Sequence, residues 1–153
     1  MRRFAFLALA VLSAACGARE LQVSEGSVSF STPASADTLL ARAAAELTQL
    51  GFTIGGREGN LLFTAPRPLP DSAGAQAGAT NQLWLVHIVA DNKVFSAGSD
   101  GIVRAYLVPE ALMPSPGNTA MDNALRITDQ RPAAFLELRR IAERINAAAN
   151  RGY

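Results

Sequence analysis

The sequence has few of the residues that form covalent or metal cross-links. Its 153 residues include one cysteine, Cys16, and one histidine, His87. A single cysteine cannot form an intrachain disulfide, and it cannot supply the several thiolates of a structural zinc site. Stability must therefore come from packing, and any histidine-based triad or metal site must use His87.

The chain also lacks a strong excess of charge of either sign. It carries 14 basic and 13 acidic residues, and two of the basic residues, Arg2 and Arg3, lie at the amino terminus. A near-neutral chain has no electrostatic footprint for nucleic acid, and it is not a polycation suited to anionic lipid. We therefore expect no nucleic-acid partner.

The amino terminus has the residue order of an export signal. Arg2 and Arg3 precede an apolar run over residues 4–15 that closes with small residues. This order is typical of a signal peptide, and the run is shorter than the roughly 20 residues that span a bilayer. We predict that residues 1–15 are a signal peptide.

The end of this run resembles a bacterial lipobox. The residues are Leu12-Ser13-Ala14-Ala15-Cys16, with Ser13 where the family usually has leucine. The resemblance implies cleavage before Cys16 and acylation of its thiol and new amino group, with palmitate among the acyl chains. A plain secretory signal, cut near Ala15 or Ala18, is the alternative.

The predicted anchor is followed by a short polar segment, which we interpret as a lipidated tether over residues 16–26. In the resembled lipoproteins, a residue other than aspartate after the cysteine tends to direct the protein to the outer membrane. Gly17 holds that position. The resemblance therefore implies a lipid-anchored protein of the cell envelope, at the outer membrane and facing the periplasm.

Two segments have the periodicity of amphipathic helices. Apolar residues recur at every third or fourth position over residues 37–50, where Ser35 or Asp37 can cap the start, and again after Pro132. The apolar stripe of the final helix is Phe135, Leu138, Ile141, Ile145 and Ala148. Each helix has one apolar stripe, so we expect both to cover the same face of a sheet.

Period-two alternation and turn residues predict the strands of that sheet. A glycine-rich turn over residues 55–60 separates two of them, and tight turns over residues 91–93 and 99–101 predict a three-stranded meander. The predicted strands are residues 27–31, 52–54, 61–65, 82–91, 94–97 and 102–108. We therefore predict one α+β domain over residues 27–153, with an antiparallel sheet of about five or six strands and a flexible loop near residues 66–81.

The stretch from Leu39 to Ala65 is similar to the repeating unit of helix-grip domains. It has a helix running into Leu50-Gly51-Phe52-Thr53-Ile54, and then a Gly59-Asn60-Leu61 return. Such domains occur in small envelope lipoproteins, including component C of the outer-membrane β-barrel assembly machinery. The similarity covers about 27 residues and implies a helix-grip-like fold in the envelope, without a catalytic residue.

The sequence favours a function other than catalysis. His87 alternates with apolar residues inside a predicted strand, and the chain has no Gly-x-Ser-x-Gly elbow to supply a nucleophile. Its carboxylates have no recognisable metal-ligand spacing. We predict no catalytic residue, metal or cofactor, and a hydrolase using His87 is the third of our functional hypotheses.

The leading hypothesis is a membrane-tethered binding or assembly module for another envelope protein. Trp84, Phe95 and Tyr106 lie on adjacent predicted strands and can form an aromatic patch on the face away from the helices. Ordinary core packing is the alternative interpretation of these three residues. The second functional hypothesis is a carrier of an apolar ligand or lipid, based on the apolar strand over residues 83–90.

Overall fold

The computed structural model describes residues 20–69, 83–108, 125–127 and 132–153. The predicted signal peptide, Cys16 and most of the predicted loop near residues 66–81 lie outside these residues. The elements are β1 (Gln22–Ser24), β2 (Ser27–Thr32), α1 (Ala36–Gln49), β3 (Ile54–Glu58), β4 (Leu61–Thr64), β5 (Arg67–Pro68), β6 (Leu83–Asn92), β7 (Ser99–Val108), β8 (Leu125–Arg126) and α2 (Pro132–Ala149).

The strands form one antiparallel sheet in the order β1-β2-β7-β6-β4-β3. The two long strands, β6 and β7, pair over their whole length at its centre. Each has two neighbours on its outer edge: β6 pairs with β4 and β5, and β7 pairs with β2 and β8. The described part of the chain therefore has eight strands, more than the five or six expected, because short segments share the edges of the long ones.

Both helices pack on the same side of this sheet. α1 lies on β6 and β7, α2 lies on β2 and β7, and the two helices contact each other. The predicted stripe of α2 is buried, with Leu138, Ile141 and Ile145 completely enclosed. The predicted α+β class, with two helices on one face, is confirmed. Each fully buried Leu or Ile stabilises such a core by about 1.5–3 kcal/mol.

The start of α1 and the end of α2 are held by specific hydrogen bonds. Of the two candidate caps, Ser35 caps α1 by accepting the Thr38 N–H at 3.3 Å, and Asp37 lies in the first turn. At the end of α2, Arg42 Nη1 donates to the carbonyl oxygens of Ala148, Ala149 and Arg151 at 2.9–3.0 Å. These carbonyls lie in the last turn and just beyond it, where a helix lacks partners of its own, so Arg42 of α1 joins the two helices.

A buried acid provides a second link between the helices. Glu46 of α1 is only 6% exposed. Its carboxylate accepts from Arg144 of α2 at 3.0 Å, and its other oxygen lies 3.4 Å from Arg151 Nη2. A buried carboxylate is costly without a charged partner, so this acid depends on α2 being in place.

The predicted three-stranded meander is wrong. β6 and β7 form a two-stranded hairpin in which Asn92 pairs with Ser99, and residues 93–98 are the connecting loop. Lys93 N–H donates to the Gly98 carbonyl at 3.2 Å to close that loop. Gly98 has φ +109°, and a Cβ there would lie 2.2 Å from the Thr32 carbonyl oxygen, so the loop requires glycine.

Three glycines that were predicted to lie in turns, Gly55, Gly56 and Gly101, lie inside strands. Gly101 is in β7 and pairs with Phe30, whose ring lies over it. A Cβ on Gly101 would approach Phe30 Cζ to 2.6 Å, so the ring leaves no space for a side chain at this position. Gly56 is in β3 under the ring of Phe63, and a Cβ there would approach Cζ to 2.8 Å. These glycines provide space for aromatic rings. The turn between β3 and β4 is therefore shorter than predicted and consists of Gly59-Asn60.

Candidate functional site

The side of the sheet that points away from the helices is the far face. Alternate residues of β6 and β7 enter the core, so the residues between them point to the far face. Its central side chains are mostly half-buried, whereas Leu85 and Val108 towards one end are buried. The central far-face residues are Leu61, Phe63, His87, Val89, Ile102, Arg104 and Tyr106.

His87 is at the centre of this face. In the sheet register it stands directly between Phe63 of β4 and Arg104 of β7. Its ring centroid lies 6.2 Å from that of Phe63 and 4.8 Å from that of Tyr106. Burial, and secondly the charge of Arg104, lower the pKa of His87 to about 4. The imidazole is therefore neutral near pH 7, with one nitrogen as donor and one as acceptor.

Arg104 is a half-buried cation beside His87 on the far face. Its Nε is buried, and among the described residues it has no hydrogen-bond partner. The far-face carboxylates of Asp91 and Asp100 lie four residues along their strands from His87 and Arg104, which is about 13 Å. Asp100 already contacts Ser31 and Lys93. The accessible part of this half-buried guanidinium can donate to an acidic group brought by another molecule.

The three aromatic residues predicted as a partner-binding patch are not brought together. Trp84 is 1% exposed and packs edge-on against Phe52 in the helix-side core, with ring centroids 5.6 Å apart. Phe95 is in the β6–β7 loop and is completely exposed. Only Tyr106 lies on the far face. The patch depended on a strand at residues 94–97, and without that strand no register links the three rings.

The cluster that does form around His87 was missed in part. Tyr106 lies on the predicted side, away from the core, and Arg104 is two residues before it on the same side of β7. Phe63, however, comes from a strand more than 20 residues before His87 in the chain. Only the pairing of β4 with β6 brings Phe63 beside His87. The one signal in the sequence was a histidine between apolar residues in the longest apolar strand.

Other chemical groups in the described residues give no second site. No group of three histidine, cysteine or acidic side chains in that part of the chain is arranged to hold a metal ion. Neither described helix combines the length and apolar character needed to cross a membrane. The predicted lipidation site, Cys16, is outside the described residues.

The chain was also compared with known proteins. No protein-family model and no curated protein matches it.

Proposed function

We propose that this protein is a lipid-anchored, non-catalytic binding module of the cell envelope, held at the outer membrane and facing the periplasm. The observation that carries the binding role is the far-face cluster. Phe63, Val89, Ile102 and Tyr106 are half-buried there, around Arg104, whose Nε has no hydrogen-bond partner among the described residues. Aromatic residues and arginine are the side chains most often found at the centre of protein interfaces.

The chemistry of His87 supports binding over catalysis. Its described neighbours are two aromatic rings and a cation, whereas a histidine base in hydrolases is usually oriented by a carboxylate. A pKa near 4 also gives a weak base at neutral pH. The expected partner is an envelope protein that presents apolar side chains to the rings and a carboxylate to Arg104.

The position of the sheet supports the anchor. β1 begins at Gln22, so residues 22–24 of the expected tether belong to the sheet. The α-carbon of Cys16 is then within about 20 Å of β1, because an extended chain advances at most about 3.5 Å per residue. An acylated Cys16 holds the folded domain close to the bilayer surface, with two or more acyl chains giving stable attachment.

The anchor is tested with Cys16→Ser. We expect this change to abolish incorporation of labelled palmitate and to leave an uncleaved or released protein, because lipobox processing needs the thiol that receives the lipid. The measurement is labelling and membrane fractionation in the native host. Incorporation of labelled palmitate into Cys16→Ser at the wild-type level would rule out the anchor.

The binding surface is tested with a photo-crosslinking amino acid at Val89 on the far face, and with a matched control at Arg139, which is exposed on α2. Irradiation of intact cells is expected to give a defined adduct from position 89 only. Arg104→Gln should lower the yield of that adduct, and Arg104→Lys should restore part of it. Adducts of equal yield from both positions, unaffected by Arg104→Gln, would contradict the proposed surface.

A catalytic role for His87 is tested with His87→Gln. We expect the purified protein to hydrolyse ester, amide and glycan substrates no faster than background. We also expect the variant to change stability only. A turnover that disappears in a folded His87→Gln variant would overturn the non-catalytic assignment.

A further inference from the structure

The β6–β7 loop carries two neighbouring apolar side chains that contact nothing in the core. Val94 is 85% exposed and Phe95 is 100% exposed. Single exposed apolar residues are common on protein surfaces, but here a valine and a phenylalanine are adjacent at the tip of a hairpin. Residues 93–98, which we call the apolar tip, close through Lys93 and Gly98 without using either side chain.

The sheet register places the apolar tip at the end from which the amino-terminal segment enters. β1 is antiparallel to β2, with Gln22 opposite Ser29 and Ser24 opposite Ser27. The chain before Gln22 therefore approaches from the end at which β2 finishes. Thr32, the last residue of β2, pairs with Ser99, the first residue after the tip.

Distances along the chain and across the sheet allow both features to meet one surface. Cys16 is six residues before Gln22, which limits their separation to about 20 Å. β1 lies two strand spacings from β7, which is about 10 Å. An acyl chain on Cys16 and the ring of Phe95 can therefore enter the same bilayer leaflet.

We propose that the apolar tip inserts Val94 and Phe95 into the interfacial region of the phospholipid bilayer that holds acylated Cys16. This inference rests on the proposed lipid anchor and adds a second membrane contact to it. A single flexible attachment leaves a domain free to rotate, whereas two attachments at one end of the sheet fix its orientation. The strands then stand away from the membrane, and the far face remains accessible to a periplasmic partner.

The test introduces a reporter at the tip of the lipidated full chain. Phe95→Trp is purified from membranes and reconstituted into phosphatidylethanolamine–phosphatidylglycerol vesicles, with and without brominated acyl chains. The one native tryptophan, Trp84, is buried, and its emission is subtracted by using the wild type. We expect the emission of the added indole to shift to shorter wavelength on vesicles and to be quenched by the brominated lipid.

A matched control is Leu136→Trp, which adds an indole at an apolar residue that is 47% exposed on α2. Ala149, at the other end of α2, accepts from Thr32, so Leu136 is about 20 Å from the membrane-facing end of the sheet. We expect this indole to keep the emission of a water-exposed residue and to escape quenching.

The outcomes separate this inference from the anchor on which it rests. If the chain floats with the vesicles but the Phe95→Trp emission is neither shifted nor quenched, the apolar tip stays out of the membrane and the inference is wrong, while the anchor stands. If Phe95→Trp and Leu136→Trp are quenched equally, the apolar tip does not contact the bilayer more than α2 does, and the inference is also wrong. If the wild type does not float, the anchor fails and this inference fails with it.

Discussion

The two faces of the same sheet are filled in different ways. On the helix side, Val86, Ile88 and Val103 have no exposed surface. On the far face, their direct neighbours His87, Val89 and Ile102 are half-buried. Alternation along β6 and β7 therefore produces a closed core and a partly accessible surface from one set of strands. Substitutions on the helix side should act on stability, whereas Arg104→Gln on the far face should act mainly on binding.

The largest expected effect is on the helix side. Ile141→Asp places a carboxylate without a partner among fully buried residues, which should cost several kcal/mol of unfolding free energy, comparable with the stability of a small domain. Arg140→Ala, next to it on the exposed side of α2, should cost less than about 0.5 kcal/mol. Thermal melts of the two variants measure the difference. Equivalent melts would mean that the faces of α2 are assigned wrongly.

The far face should contribute a pH-dependent term to stability. The pKa of His87 is about 4 in the folded protein and 6.5 in the unfolded chain, so the unfolded chain binds the proton more readily between these values. The free energy of unfolding should therefore fall as the pH decreases from about 6.5 to 4. The expected fall is roughly 2 kcal/mol, which is less than the full difference in pKa implies, because the half-buried ring is partly screened by water.

The control for this term is His87→Gln, since Asp and Glu residues also titrate in acid. Urea unfolding at a series of pH values should show that the difference in stability between wild type and variant changes over this range and is constant above pH 7. A difference that is independent of pH would show that His87 is as accessible in the folded protein as in the unfolded chain.

Two glycine substitutions compare the faces directly. A Cβ at Gly101 meets the ring of Phe30, which is buried on the helix side, whereas a Cβ at Gly56 meets the ring of Phe63, which is half-buried on the far face. Gly101→Ala should therefore cost about 1–3 kcal/mol, and Gly56→Ala less than about 1 kcal/mol, because an accessible ring can move aside. Urea midpoints measure both. A larger cost at Gly56 would show that the far face is packed as tightly as the core.

The smallest effect on stability is expected at the apolar tip. Phe95→Ser removes a ring that is completely exposed, so the free energy of unfolding in solution should change by less than about 0.5 kcal/mol. Chemical denaturation without lipid is the measurement. A loss of more than about 1 kcal/mol would mean that Phe95 packs on the protein and belongs with the core.

Hydrophobic period and turn residues correctly predicted the two helices and the longest apolar strand. The stripes of α1 and α2, the Ser35 cap and the long strand from residue 83 all follow from periodicity and turn chemistry, and each is observed. The position of both helices on one face also followed, because each has only one apolar stripe to bury. The predicted patch of Trp84, Phe95 and Tyr106 did not form, since it required a strand in what is a loop.

The amino-acid sequence by itself determined the α+β class, the buried stripes and the lipobox-like segment on which the proposed localisation rests. Tertiary structure alone decided which glycines turn the chain and which lie beneath the rings of Phe30 and Phe63. It also decided that Phe63, His87 and Tyr106 form one cluster. The physical reason is that strand register depends on pairing between segments far apart in the chain, whereas hydrophobic period is written within each segment.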